Sequence, residues 1–386
     1  MPLPSADVVV IGGGVVGTAL AYELITLGAD TVLIDRHDPG RATDAGAGIL
    51  SPETNQDPDP GFFEFGRAAA GHYESLTARL IEDNASETGF AVTGLLLVAE
   101  RPGDDAVMDE AVRVIQRRCP GLAEEIDPSE VARYFPPLGP VRKALFSPVA
   151  RRVDGRILND SIHQAAVTRG LRVVSGNATG IESDRTDTSV VAVRTTEGTI
   201  PTGAVIVAGG AWSAQIGEAL SRQLPVTPLK GQVIHLSLPS TDSSGWSIVQ
   251  PVLGFYLVPW PDGRVVCGGT MEEQSGFDHR PTADGLHQLL RECLRTAPGM
   301  SQATVAETRA GSRPVTPDAR PILGRLPEWS NAYVATGHGT EGLLLGPYSA
   351  LVVARLALGV DGSATPVERE VASQVLDSCT PERFAS

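Results

Sequence analysis

Cysteine is scarce. The four thiols, at 119, 267, 293 and 379 of a 386-residue chain, show no paired spacing, which supports neither a disulfide framework nor a thiolate metal site. Positive charge is short as well: 31 basic residues face 46 acidic ones, a formal charge of −15, so a nucleic-acid partner, which would need a basic face, is not expected. No apolar run approaches the ~20 residues that cross a bilayer, and Met1 to Asp7 carry no basic stretch ahead of the apolar run that follows. Neither a transmembrane segment nor a signal peptide is therefore expected, and the reading is a reduced, cytoplasmic protein. Seven scattered histidines include no H-E-x-x-H, no Ser/His/Asp or Cys/His arrangement announces itself, and no internal repeat is visible; no metal is expected. Aromatics reach only 5%, whereas glycine (42) and proline (29) are plentiful, a turn-rich composition with neither a collagen period nor a low-complexity block. At this length the chain should form two domains or one large interleaved unit.

What is present concentrates at the N-terminus. Val8-Val9-Val10-Ile11 is wholly apolar, as in a strand buried on both faces of a parallel sheet. It runs into Gly12-Gly13-Gly14-Val15-Val16-Gly17, then into a helical pattern that places Ala21, Leu24, Ile25 and Leu27 on one face and stops at Gly28. A second strand, Thr31-Val32-Leu33-Ile34, ends on Asp35. This is β-α-β with G-x-G-x-x-G at its first turn. Gly12 allows the tight turn, Gly14 lets backbone approach a pyrophosphate, and Gly17 lets helix pack on strand. The pyrophosphate would sit on the helix N-terminus, and Asp35 would accept hydrogen bonds from the adenosine ribose. The carboxylate disfavours a 2′-phosphate and hence NADP; the motif alone does not separate NAD from FAD.

Further along, Ala45 to Leu50 is nearly free of long polar side chains, which suits backbone lying against a bulky planar ligand. Helices are predicted over 62–84, 109–118, 157–169 and 284–296, and strands at 94–98, 172–174, 190–194 and 204–208. The last of these strands empties into Gly209-Gly210-Ala211-Trp212-Ser213, a small-residue turn at the strand end where ligands bind in doubly wound sheets. Residues 225–275 change character, with short strands at 232–236, 255–258 and 265–268 between Pro and Gly turns, an antiparallel sheet distinct from the first domain. A last buried strand, 332–336, leads into Gly337-His338-Gly339 and a helix reaching Leu356.

Four patches in this order resemble the FAD-dependent D-amino-acid oxidase superfamily, which includes glycine oxidase and sarcosine oxidase, with glycine oxidase the nearest in pattern. They are GGGVVG with Asp35, ATDAGAGIL at 42–50, VIVAGGAWS at 205–213, and AGSRPVTPDARPILG at 310–324 with ATGHGTEGLLLGP at 335–347. The stretch FYLVPWPDGRVVCGGTM at 255–271 resembles the substrate-sheet segment of glycine oxidase. The resemblance implies α/β plus antiparallel β architecture: a Rossmann-type FAD domain from discontinuous segments 1–88, 145–224 and 308–386, and an inserted substrate domain from 89–144 and 225–307. Flavin contacts are implied for Gly12, Gly14, Val15, Val16, Gly17, Asp35, Arg36, Thr43, Asp44, Ala47, Gly48, Ile49, Ala178, Ala208, Gly209, Trp212, Arg313, Gly337, His338, Gly339, Thr340, Glu341, Gly342 and Leu343.

Sarcosine oxidases attach their flavin through a cysteine just before a TPD motif. Here Gly311-Ser312-Arg313-Pro314 precedes Val315-Thr316-Pro317-Asp318, so FAD is expected to be non-covalent. Arg313 matches the family arginine that grips a substrate carboxylate, a bidentate task suited to a planar guanidinium, and Tyr256 matches the tyrosine that also reaches it. Trp260, Met271 and Ile49 are expected to line the pocket. His338 is expected to be structural, its turn offering backbone N–H groups to the reduced flavin, with Thr340 and Glu341 tuning flavin contacts. The implied chemistry is oxidation of a small amino acid or carboxylate-bearing amine by hydride transfer to flavin, giving an imine and then a 2-oxo acid, with oxygen as acceptor and hydrogen peroxide as product. The oxygen-activating lysine of sarcosine oxidase is replaced around Val265–Val266, which keeps a dehydrogenase using a quinone or another acceptor open. A 2-hydroxy-acid oxidising enzyme and a flavin-binding assembly protein without turnover also stay open, as does a homo-oligomer.

Overall fold

The computed structural model describes residues 3–54, 59–220, 222–360 and 365–384; the chain ends included in the expected segments 1–88 and 308–386 lie outside these. The strand Ala6–Ile11 is buried on both faces, with Val9 and Val10 fully enclosed. It pairs in parallel with Thr31–Asp35 on one side and with the C-terminal half of Gly198–Val207 on the other. Arg172–Ser175 and Ala332–Thr336 extend the parallel run, and Ile322–Arg325 closes one edge antiparallel. The N-terminal half of Gly198–Val207 turns outward into an antiparallel meander with Val190–Thr195 and Ala178–Ser183, completing eight strands.

Helix Val15–Thr26 follows the glycine turn. It is enclosed almost all round from Val15 to Leu24, so its burial exceeds the single face predicted from Ala21, Leu24, Ile25 and Leu27; Ile25 and Leu27 are only half-buried. Its neighbours are Pro60–Glu82, Gly155–Thr168 and Gly342–Leu358, which cover this face of the sheet. The stretch Gly339–Leu358 is 20 residues with a mean hydropathy of 1.3, long and apolar enough by composition to cross a membrane, contrary to the sequence expectation. Here it is a core helix: Leu343, Leu344, Leu345, Tyr348, Ala350, Val352, Val353 and Ala354 are all buried. Pro347 sits inside this helix and has no N–H for the Leu343 carbonyl one turn back. The hydroxyl of Tyr73, from the long helix Pro60–Glu82, donates to that carbonyl instead.

The second sheet also has eight strands, in the order Thr304–Val315, Thr227–Ser237, Arg264–Gly268, Tyr256–Pro259, Ile248–Pro251, Leu95–Ala99, Lys143–Ser147, Glu124–Ile126. All its pairings are antiparallel except Ile248–Pro251 with Leu95–Ala99. Two of these strands, Lys143–Ser147 and Thr304–Val315, run across the domain divisions expected at 144/145 and 307/308. A three-stranded ribbon of Ile49–Leu50, Arg151–Arg152 and Ala91–Val92 joins the two halves. The architecture is thus a Rossmann-type nucleotide domain assembled from separated segments, with a substrate domain on an antiparallel-rich sheet.

Candidate active site

A single cleft of about 530 Å³ runs from the C-terminal ends of the parallel strands to the second sheet. At its nucleotide end the glycine turn is held by side chains distant in sequence. The Gly13 carbonyl accepts from Thr18 Oγ1 (3.2 Å), Arg41 Nη1 (3.2 Å) and Asn159 Nδ2 (3.2 Å). The Val15 N–H at the helix start donates to Thr43 Oγ1 at 3.0 Å. Gly12 has φ +112°, and a Cβ there would lie 2.4 Å from the Ala208 carbonyl oxygen; one at Gly17 would lie 1.8 Å from the Gly12 oxygen. These are the tight turn and the close helix–strand approach that a dinucleotide cradle requires.

Asp35 ends the second parallel strand with its carboxylate against Gly13, where a Cβ would lie 2.6 Å from Oδ2. Oδ2 accepts from Arg41 Nη1 at 3.0 Å and lies 3.1 Å from His37 Nδ1, while Oδ1 has no hydrogen-bond partner among the described residues. Arg36 pairs with Asp38 and reaches Asn177 Oδ1 at 3.3 Å. The cleft continues past Ala47, Gly48 and Ile49, where Gly48 (φ +76°) presses so close to Val153 that a Cβ would meet its carbonyl oxygen at 1.7 Å. Two strand-end turns close the far wall, 209–213 and 337–341. They are tied together by Thr336 Oγ1, which lies 2.7 Å from Ser213 Oγ and 3.1 Å from the Gly210 oxygen. A long channel with a glycine cradle, a half-used carboxylate and a broad small-residue wall fits FAD.

At the other end, pairing register sets the substrate groups. Arg313 lies opposite Leu229, and Tyr256 opposite Gly268, which itself pairs with Val233. Four adjacent strands therefore bring Arg313, Gly231 and Tyr256 to one end of the sheet. The guanidinium packs on bare backbone: a Cβ at Gly231 would lie 2.1 Å from Nη1, and one at Gly269 2.9 Å from Nη2. Nη1 donates to the Thr270 carbonyl at 2.9 Å and reaches Met271 Sδ at 3.5 Å; no carboxylate among the described residues pairs with it. Burial pushes the Tyr256 hydroxyl above its ordinary value, and the Arg313 charge beside it holds part of that rise back.

Most of the expected residues share this cleft: Gly12, Gly14, Val15, Val16, Asp35, Arg36, Thr43, Ala47, Gly48, Ile49, Ala178, Ala208, Gly209, Trp212, Tyr256, Met271, Arg313 and the run His338 to Leu343 all line it. Met271 does so while 61% exposed. Gly17, Asp44 and Gly337 do not line it. Gly17 acts behind the turn, Asp44 accepts from Arg41 Nε at 3.2 Å, and Gly337 (φ +75°) is packed against Thr316. Trp260, expected in the pocket, is a correction: it is buried behind the wall, its indole between the guanidinium carbons of Arg152 (4.5 Å) and Arg264 (4.4 Å). Trp260 lies one residue past the strand Tyr256–Pro259, and the sequence carried no signal for the side it would take there. His338 is buried, bonded through Nε2 to Ser349 Oγ at 3.0 Å, and burial lowers it to about 4. Sequence reasoning missed Arg41 and Gly231, whose roles depend on partners far along the chain. It also missed Ser51, Thr54 and Gln250, polar residues in the lining whose segments carry no motif.

A family profile described as FAD dependent oxidoreductase matches residues 7–356. An uncharacterized oxidoreductase, YurR, of Bacillus subtilis is 33% identical over 354 residues, covering 91% of this chain and 94% of the relative. The glycine oxidase of Bacillus licheniformis is 28% identical over 365 residues, covering 92% and 93%. Among solved structures, iminodiacetate oxidase from Chelativorans sp. BNC1 superposes with a TM-score of 0.88 at 34% identity, covering 97% of this chain and 98% of that one. Glycine oxidase from Geobacillus kaustophilus does so with a TM-score of 0.85 at 26% identity, covering 94% and 96%.

Proposed function

The chain belongs to the FAD-dependent oxidoreductase family and acts on C–N donors, and from that premise we propose that it oxidises a small amino acid or carboxylate-bearing amine, of the glycine, sarcosine or D-amino-acid kind, with oxygen as acceptor. The observation that carries this reading is Arg313: a guanidinium without a carboxylate partner among the described residues, set on glycine backbone beside Tyr256 in the dinucleotide cleft. A free, pre-oriented guanidinium is a receptor for a planar carboxylate, and holding the carboxylate fixes the Cα–H. Tyr256, kept protonated by burial, adds a neutral donor to the same carboxylate. When bound, FAD supplies the hydride acceptor, and the protein supplies binding, orientation and a dry wall. Release as imine and hydrolysis to the 2-oxo acid follow from the same bond order change at carbon.

None of the four cysteines lines the cleft, and its one histidine among the described residues, His338, is engaged with Ser349, which supports non-covalent FAD. Denaturation should release all the yellow colour into the supernatant; flavin remaining on the precipitated chain would refute that. The reaction is tested by anaerobic titration of the holoenzyme with glycine, sarcosine, D-alanine and D-proline. Bleaching of the flavin by one of them, with peroxide formed on readmitting air, is the expected result. A flavin that none bleaches sinks the reading, and bleaching without peroxide replaces oxygen by another acceptor. Arg313→Ala should keep its flavin while raising the substrate KM by ~30-fold or more, the loss of one charge-assisted pair.

A further inference from the structure

The charges lining the cleft resolve almost completely into pairs. Asp35 is matched by Arg41, and Asp38 by Arg36. Two groups remain over, one of each sign: Arg313, and Glu341, for which the described residues offer no cation within ion-pair distance. Glu341 is the last residue of the one-turn Gly339–Glu341 and the N-cap of Gly342–Leu358, yet its side chain accepts nothing from that helix. Its only side-chain partner among the described residues is Thr340 Oγ1, at 3.4 Å. The turn abuts the end of the Arg313 strand, where a Cβ on Gly339 would lie 4.0 Å from Val315 Cγ1. A cleft that leaves one guanidinium and one carboxylate unspent is charged to complement a zwitterion.

We propose that Glu341 holds the substrate's ammonium while Arg313 holds its carboxylate, and that Glu341 takes one ammonium proton before oxidation. This rests on the amino-acid reading above. The N–H bond breaks and an O–H bond forms on Glu341, restoring the nitrogen lone pair. With FAD bound as hydride acceptor, the Cα–H electron pair would then leave as hydride while that lone pair forms C=N, giving an iminium. Burial raises Glu341 above the ordinary carboxylate range, which makes it a better proton acceptor. The other groups facing this end leave it as the one that titrates: burial keeps His338 neutral and Tyr256 protonated. The same inventory sets specificity, because a second carboxylate on the substrate would find the other lining guanidinia, Arg36 and Arg41, already paired and would meet Glu341.

The test compares the parent holoenzyme with Glu341→Gln and Glu341→Asp. Binding of acetate, a carboxylate without an amine, is followed by its perturbation of the flavin spectrum; flavin reduction is followed anaerobically between pH 6 and 10 with the amino acid that bleaches the parent. Glu341→Gln is expected to bind acetate within about twofold of the parent, since its carboxylate site is intact. At pH 7 it should reduce flavin about a hundredfold more slowly, recovering as the pH approaches the amine's own pKa. Glu341→Asp should fall between. The parent should prefer sarcosine to iminodiacetate by ~10-fold or more, and Glu341→Gln should narrow that ratio. An unchanged rate and pH profile in Glu341→Gln overturns the proposal for Glu341 alone. A parent flavin bleached by no amino acid overturns the underlying reading, and this inference with it. If Glu341→Gln does not retain flavin, Glu341→Asp decides by the same rate and profile.

Discussion

Arg313 and Gly231 form one unit, although the sequence separates them widely. A methyl at 231 would enter the guanidinium's space at 2.1 Å, and the flexible end of an arginine yields more readily than backbone does. Gly231→Ala is therefore expected to leave the fold and flavin content intact while swinging Arg313 away, with the KM rising by at least ~30-fold and kcat changing far less. Steady-state kinetics beside a flavin spectrum check this; an unchanged KM would mean that Arg313 does not meet substrate in this pose. Sequence reasoning reached Arg313 and Tyr256 through their motif context. Gly231 was silent, because nothing local distinguishes a glycine needed for a neighbour's side chain from one needed for a turn.

At the level of elements, the cleft wall depends on repairs to interrupted structure. The Tyr73 hydroxyl satisfies the Leu343 carbonyl that Pro347 leaves without a donor, and Leu343 itself lines the cleft. Tyr73→Phe should cost about 1–3 kcal/mol, the penalty of an unsatisfied buried carbonyl, measurable by denaturant unfolding. A loss below ~0.5 kcal/mol would show that water replaces the hydroxyl. Trp260 is a second case. Its place between Arg152 and Arg264 ties the strand Tyr256–Pro259 to the bridging ribbon, and Arg152 is lowered to about 10 by burial and by the Arg264 charge. Trp260→Phe is expected to lower the melting temperature while leaving the substrate KM within about threefold, since the indole does not line the cleft. A shifted KM with unchanged melting would return Trp260 to the pocket. Most of the longer helices and the parallel strands were legible from periodicity, whereas strands such as Ala178–Ser183, Lys143–Ser147 and Thr304–Val315 were not expected; which face Trp260 took was not legible either.

For the whole molecule, three buried histidines on different elements, His72, His235 and His338, are each lowered to about 4, in every case chiefly by burial. The unfolded chain binds protons at these groups below about 6.5 while the folded chain does not until about 4. Stability therefore rises with pH across that window, is fully present above it, and is lost as the pH falls from 6.5 toward 4. Denaturant unfolding at pH 7 and pH 5 should show a marked loss, and His72→Gln should flatten the slope by about one proton. A slope unaffected by that change would show that His72 is not held neutral.

The glycine turn, the strand ahead of it and Asp35 lie within one short stretch, so local spacing was enough to point to a dinucleotide fold, although the turn's partners Asn159 and Ala208 are far along the chain. Spacing was equally enough for the recurrence of small residues at 209–213 and 337–339, which mark strand ends. The division of the two sheets was not local: Lys143–Ser147 and Thr304–Val315 joined the second sheet across the expected boundaries because their hydrogen-bond partners are distant strands. The charge balance of the cleft was likewise decided only in three dimensions. Ion pairing depends on distances of a few ångströms between side chains from separate segments, and only the folded chain shows that Arg41 is spent on Asp35 while Arg313 and Glu341 have no ion-pair partner among the described residues.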